Sequence, residues 1–219
     1  MIWSWDYTIE ILPVLAKASI VTIEATLLSF AIALVFGLVL AMLRMSSSVV
    51  GWVTSAFVEL VRSTPLLIQI FFLFFVLPRL GIVLDAFVAG VIALSLHYAC
   101  YCSEVYRAGL EAVPRGQWEA CTALNLSAWS TFKDIILPQA IPPIVPALGN
   151  YLVALFKDTP LLSAIAVLEL VQTAKVLGSE NFRYTEPMTI VGLIFLILSL
   201  ISSAGIRWLE RRLNLRRVR

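Results

Sequence analysis

The sequence predicts an all-α membrane protein with five bilayer-crossing helices, and three observations support that class. Of its 219 residues, 60% are hydrophobic and only 14% charged, with a mean hydropathy of +0.94, against roughly 45–50% apolar residues in soluble domains. Five apolar stretches each approach the about 20 residues that a helix needs to cross hydrocarbon. Lys and Arg concentrate in alternate connections, as they do when cytoplasmic loops retain positive charge. A water-soluble globule is excluded, and residues 1–219 are expected to form a single transmembrane domain with a cytoplasmic loop at about 107–143.

The first residues lack the basic start and small-residue cleavage site of a signal peptide, so the first apolar segment is expected to stay in the mature protein. The first span covers 19–43, softened by Thr22, Glu24 and Thr26 and closed by Arg44 and the serines after it. The second covers about 57–77 and ends at Pro78-Arg79; its aromatic run Phe71, Phe72, Phe74 and Phe75 reads as lipid-facing or packing surface. The third, about 86–106, is the least apolar, and His97, Tyr98, Tyr101, Ser103 and Glu104 give it a polar face expected to pack on other helices. The fourth and fifth cover about 144–168 and 188–206.

Five spans place the chain ends on opposite sides. With the N-terminus outside, ten Lys and Arg fall in inside segments (Arg44, Arg107, Arg115, Lys133, Arg207, Arg211, Arg212, Arg216, Arg217, Arg219) and four outside (Lys17, Arg79, Lys175, Arg183). That ratio favours N-terminus out and C-terminus in. Directly after a span, the basic C-terminal segment reads as an anchor on anionic membrane lipid, and not as a nucleic-acid patch.

The 37 residues of 107–143 are too many for a connection without structure of its own. Residues 117–124 read as a short helix stopped at Asn125, which tolerates a left-handed backbone; Ser127 suits an N-cap, and 128–137 reads as a second helix ended by Pro138. Apolar residues on such a loop suit either a partner's groove or the bilayer surface.

Span four carries Lys157-Asp158-Thr159-Pro160 near its middle. A central Lys or Asp costs about 2.5–3.5 kcal/mol on insertion scales, so such groups face a cavity or each other and mark a pathway. Pro160 also deprives a carbonyl near Phe156 of its helical donor. Lys157 and Asp158 are therefore expected to line a path for a zwitterion, or else to pair and hold the break. Glu59 and Arg62, three apart, are expected to form a helix-end ion pair, while Thr64, Pro65 and Gln69 lie deeper as pore neighbours. His97 has no second His or CxxC for company, so no metal site is expected, and Cys100, Cys102 and Cys121 make no framework.

Glu119-Ala120-Cys121, Asn125-Leu126-Ser127 and Ile136-Leu137-Pro138-Gln139-Ala140 together resemble the "EAA…G…I-LP" motif of permease subunits in ATP-binding-cassette (ABC) importers, with Cys for the third residue and Asn for glycine. The segments Glu59 to Gln69, Glu104 to Gly109, Pro114 to Ala120 and Lys157 to Thr159 are similar to the polar amino-acid branch (histidine and glutamine type). Phe156 to Ser163 and Gly178 to Tyr184 look most like ectoine and hydroxyectoine permeases, which take up compatible solutes.

The resemblance implies a type I ABC importer domain in a bacterial inner membrane, pairing with a second permease subunit as a homo- or heterodimer on an ATPase dimer and fed by an extracytoplasmic solute-binding protein. It also implies that Gln117, Trp118, Glu119, Ala120, Cys121, Leu124, Asn125, Leu137 and Pro138 couple to the ATPase. Thr64, Pro65, Gln69, Lys157, Asp158 and Thr159 are the expected substrate pathway. No phosphate loop GxxxxGK occurs, so this chain is expected to hold no cofactor and catalyse nothing, with ATP and Mg used by the partner. The alternatives are a stand-alone secondary transporter or channel, which five spans without a repeat suit poorly, and a serine hydrolase, for which the GxSxG elbow is missing.

Overall fold

A computed structural model describes residues 3–46 and 49–212, and every regular element among them is helical. Residues 1, 2, 47 and 48 and the tail arginines Arg216, Arg217 and Arg219 lie outside the described residues.

Helix α1 is Trp5–Arg44. It starts well before the apolar run at residue 19 because Ser4 caps it, its Oγ accepting from Tyr7 N at 3.3 Å, and because Asp6 suits the positive end of the helix dipole. The early turns are held by packing: Ile11 and Leu15 share a small core with Leu170, Ala174, Ile190 and Val191. Farther along, α1 packs on α4 (Ala86–Glu111) at a small-residue contact. A Cβ on Gly37 would come within 2.7 Å of Cys102 Cβ and 2.8 Å of the Ala99 carbonyl oxygen. Because a helical carbonyl cannot swing aside, Gly37→Val is expected to destabilise the chain by about 1–3 kcal/mol, read as a lowered unfolding midpoint in detergent.

The second span differs from the expected straight helix. Helix α2 (Val49–Arg62) ends at Ser63, and α3 (Leu66–Phe71) leaves at a bend of 103°. Pro65 causes the break: it has no N–H, and its extended backbone (φ −61°, ψ 135°) cannot continue α2. From α3 the chain widens into a π turn (Phe72–Val76), tightens into a 3-10 turn (Leu77–Leu80) and stops at Gly81 with φ 84°. Phe72 and Phe75 are exposed while Phe71 and Phe74 pack on the main core, as the aromatic run suggested.

After α4 come α5 (Arg115–Ala123), α6 (Ala128–Ser130), α7 (Leu137–Asp158), α8 (Leu170–Glu180) and α9 (Thr185–Arg212). Pro138 does not end a helix here. A π turn over Thr131–Ile136 links α6 to α7, so 128–165 runs on as one helical rod. Within the turn the Leu137 N–H already reaches back five residues to the Phe132 carbonyl, and a residue without a donor can follow at little cost. Since α4 reaches Glu111 and α7 begins at Leu137, the irregular part of the 107–143 loop is shorter than the sequence suggested.

Glu169, fully buried, caps α8 by accepting from Val171 N (2.9 Å) and Gln172 N (2.8 Å). Burial raises its pKa above the ordinary carboxylate value, and those N–H groups and Lys175 pull it only part of the way back. A raised acid pKa adds stability below about pH 4.3 that is lost as pH rises through the folded value. Glu169→Gln keeps an oxygen acceptor and removes the titration. Its unfolding midpoint relative to the parent's should therefore be higher at pH 8 than near pH 4, where the parent's own side chain is neutral, whereas Glu169→Ala should cost about 1 kcal/mol or more at either pH.

Candidate functional site

Two regions gather the residues singled out by sequence. The first is the loop over 107–143. Helix α5 closes in a Schellman turn: Leu126 N donates to Cys121 O (3.1 Å), Asn125 N donates to Thr122 O (3.0 Å), and Asn125 adopts φ 55°, so asparagine stands where a glycine is usual. Ser127 Oγ then accepts from Ser130 N at 3.1 Å and starts the next turn. Cys121 is the one buried residue of α5, which explains a small side chain there. Gln117, Glu119 and Ala120 are exposed; Trp118 is 37% exposed, Leu124 72% and Trp129 70%. Gln139 Nε2 donates to the Ile135 carbonyl at 2.8 Å and approaches Gln117 Oε1 at 3.3 Å, which ties α5 to the root of α7 near Leu137 and Pro138. Below, Val113, Ile136, Ala140 and Ile144 form a separate core that fixes the loop on α4 and α7. The loop is thus a wedge held on α4 and α7, with Leu124 and Trp129 standing out among polar residues.

The second region lies within the membrane. Helix α4 runs antiparallel to α7 and its continuation, with Gly90 against Leu162 at one end and Gly109 against Ile144 at the other. Between these contacts the Tyr98 hydroxyl donates to Asp158 Oδ2 at 2.7 Å, so the carboxylate sits near mid-depth. Around it stands an aromatic strip: the rings of His97 and Tyr101 are 5.1 Å apart, Tyr98 and Tyr151 6.1 Å, and Tyr101 and Tyr151 5.6 Å. The polar face expected on span three does pack against other helices.

Gln69 belongs to the same strip. Its Nε2 donates to the Val61 carbonyl (2.7 Å) and Thr64 Oγ1 (2.8 Å), supplying donors that Pro65 and the chain break withhold. Its Oε1 lies 3.1 Å from His97 Nδ1, and since an amide oxygen only accepts, the proton is on Nδ1. Thr159, fully buried, meets the other proline: its hydroxyl donates to the Phe156 carbonyl at 2.7 Å, the group left orphaned by Pro160. The chain there tightens into a 3-10 turn (Thr159–Ile165) without parting.

Lys157 and Asp158 point to different places and form no ion pair with each other. Lys157 is exposed in a groove of about 540 Å³ between α7 and α9, beside Leu196, Ser199 and Ser203. That groove lies between the Gly149–Ile206 contact and the Pro160–Gly192 level, again near the middle of the span. Arg62 pairs with Glu59 at 3.6 Å as expected, but its closer partner is Glu104 at 3.0 Å. The residues that sequence reasoning did not bring together are Arg44, Glu104 and Tyr151, because only tertiary contact joins them. Among the described residues no group of His, Cys, Asp and Glu could hold a metal ion.

Comparison with known proteins follows the same lines. Residues 33–215 match the family described as "Binding-protein-dependent transport system inner membrane component". The chain is 44% identical to the probable amino-acid ABC transporter permease protein y4tG of Sinorhizobium fredii, over 99% of this chain and 97% of that one. It is 38% identical to the L-cystine transport system permease protein TcyB of Bacillus subtilis, over 92% and 87% respectively. A chain from the crystal structure of an amino acid ABC transporter with histidines superposes with a TM-score of 0.92 at 33% identity, covering 97% of this chain and all of that one. A chain of the MetNI methionine ABC transporter in an inward-facing form gives 0.79 at 21% identity, covering 93% and 98%, and shares the fold.

Proposed function

This chain belongs to the family of binding-protein-dependent transport system inner membrane components, and from that premise we propose that it is the membrane-spanning subunit of an importer for a small zwitterionic solute, driven by ATP hydrolysis in a separate subunit. The observation that carries this is the wedge of α5: a short helix closed by a Schellman turn that leaves Leu124 largely and Trp118 partly exposed on the loop. A helix with apolar anchors is suited to a groove in a partner. ATPase closure would push the wedge, and the rod from 128 to 165 would carry the movement into the membrane.

Two permease subunits on two ATPase copies, with ATP and Mg used there, would expose the solute path to one face at a time. The N-terminus would lie outside and the arginine-rich end inside, on anionic lipid. Asp158, beside Tyr98 and the strip of His97, Gln69 and Thr64, offers a carboxylate to the solute's cationic end, and Lys157, which opens on the α9 groove, offers an ammonium to its carboxylate at a separate point along the path. Pro65 and Thr159 shape the helix breaks that present them. The amino-acid permeases among the relatives support a polar amino acid as cargo. Phe156 to Ser163 makes ectoine and hydroxyectoine the competing cargo. Calorimetric titration of the cognate binding protein with polar amino acids, ectoine and hydroxyectoine decides between them. Binding of an uncharged sugar alone would sink the zwitterion reading.

A further inference from the structure

One carboxylate joins the two regions. Glu104, on α4 at the cytoplasmic end of the aromatic strip, accepts from three guanidiniums on three helix segments. Arg44, at the end of α1, reaches Oε1 at 2.9 Å; Arg62, at the end of α2, reaches the same oxygen at 3.0 Å; Arg107 takes Oε2 at 2.8 Å. The side chain of Glu104 is only 20% exposed and that of Arg44 12%, so the cluster is largely shielded from water. On one side, the Arg62 guanidinium stacks over Tyr101 at 5.2 Å, and Tyr101 touches His97 and Tyr151. On the other, Arg107 holds Glu111 with two bonds of 2.7 Å. Glu111 in turn borders a cleft with Arg115 and Trp118 of the wedge.

We propose that Glu104 is a positioning residue, the shared anchor of an ionic relay that ties the solute-facing aromatic strip to the docking wedge. The relay rests on the function proposed above for those two regions. It has the property a switch needs, because each flanking arginine has a second carboxylate within reach. Arg62 keeps Glu59 on its own helix, with the Glu59 side chain 72% exposed, and Arg107 keeps Glu111. Arg62 Nε is also buried without a partner, so its present seat is incompletely satisfied. When the ends of α2 and α4 separate, Arg62 retains Glu59 on its own helix while Glu104 keeps Arg44 and Arg107, so no charge is stranded. Two arrangements of similar bonding, one joined through Glu104 and one parted, make a discrete element that both regions bias.

The test uses the full complex with its ATPase and binding protein in lipid nanodiscs, comparing ATP hydrolysis with and without liganded binding protein. Glu104→Gln should assemble with the ATPase and still hydrolyse ATP, yet lose stimulation by the liganded binding protein about tenfold; Glu104→Asp should recover part of it. Arg62→Gln, at the exposed edge of the cluster, should show the same loss if Glu104→Gln fails to insert. Stimulation within twofold of the parent in both variants overturns the relay. So does failure of Glu104→Gln, Arg62→Gln and Glu104→Asp alike to assemble, which would make the cluster a scaffold only. A parent complex that shows no stimulation at all overturns the function proposed above and the relay with it.

Discussion

Replacing Trp118 and Leu124 together by glutamate is expected to reduce solute uptake to background while the chain still folds and inserts. Leu124 is largely exposed at the end of α5 and Trp118, 37% exposed, borders the cleft with Leu110, Glu111, Val113 and Arg115, whereas the loop is held to the membrane domain by other residues: Cys121 faces inward, and Val113, Ile136, Ala140 and Ile144 form the core beneath. The substitutions therefore leave the core beneath the loop intact. Central aromatic and apolar anchors of a protein interface are each worth about 2–4 kcal/mol when truncated. Two charges in their place should weaken association with the ATPase by at least about a hundredfold. Co-purification with the ATPase and radiolabelled uptake in vesicles are the readouts, with thermal unfolding of the isolated subunit as the control. An unaltered complex would remove the wedge from the coupling path.

The second large effect is expected at mid-membrane. Asp158→Asn keeps an oxygen that accepts from Tyr98 at the same position and deletes only the charge. Lys157→Gln likewise removes an exposed ammonium that forms no ion pair among the described residues. Because neither loses an internal ion pair, stability should change by less than about 1 kcal/mol. Uptake should fall tenfold or more for each variant, since a charge-assisted bond to the solute contributes about 1.5–3 kcal/mol. Transport assays at several solute concentrations separate weakened binding from slowed turnover. Uptake equal to the parent's in both variants would assign the two charges to helix construction.

The architecture was largely legible because its causes are local. Apolar runs of bilayer length gave the four unbroken spans, Ser127 and Asn125 marked a cap and a turn at the positions where the backbone has them, and Pro160 marked where α7 tightens into a 3-10 turn, though the expected break does not open there. Other features have non-local or compensating causes. The bend after Arg62 is tolerated because Gln69 supplies its missing donors, and Pro138 is tolerated because a π turn precedes it. No periodicity announces either compensation. Arg44, Arg62, Glu104 and Arg107 lie on three different helices, so their common site exists only after packing. Adjacency also misled in one respect: Lys157 and Asp158 are neighbours in sequence, yet the turn of the helix sends one to the α9 groove and the other to Tyr98.

The most direct test is to purify the tagged chain in mild detergent with whatever it holds, reconstitute it in vesicles with the cognate binding protein on the opposite side, and measure solute accumulation with ATP on the side of the arginine-rich end. Uptake that requires ATP there, a co-purified ATPase and an intact α5 surface is the predicted result. Accumulation driven by an ion gradient in the absence of ATP and of any second subunit would contradict the account.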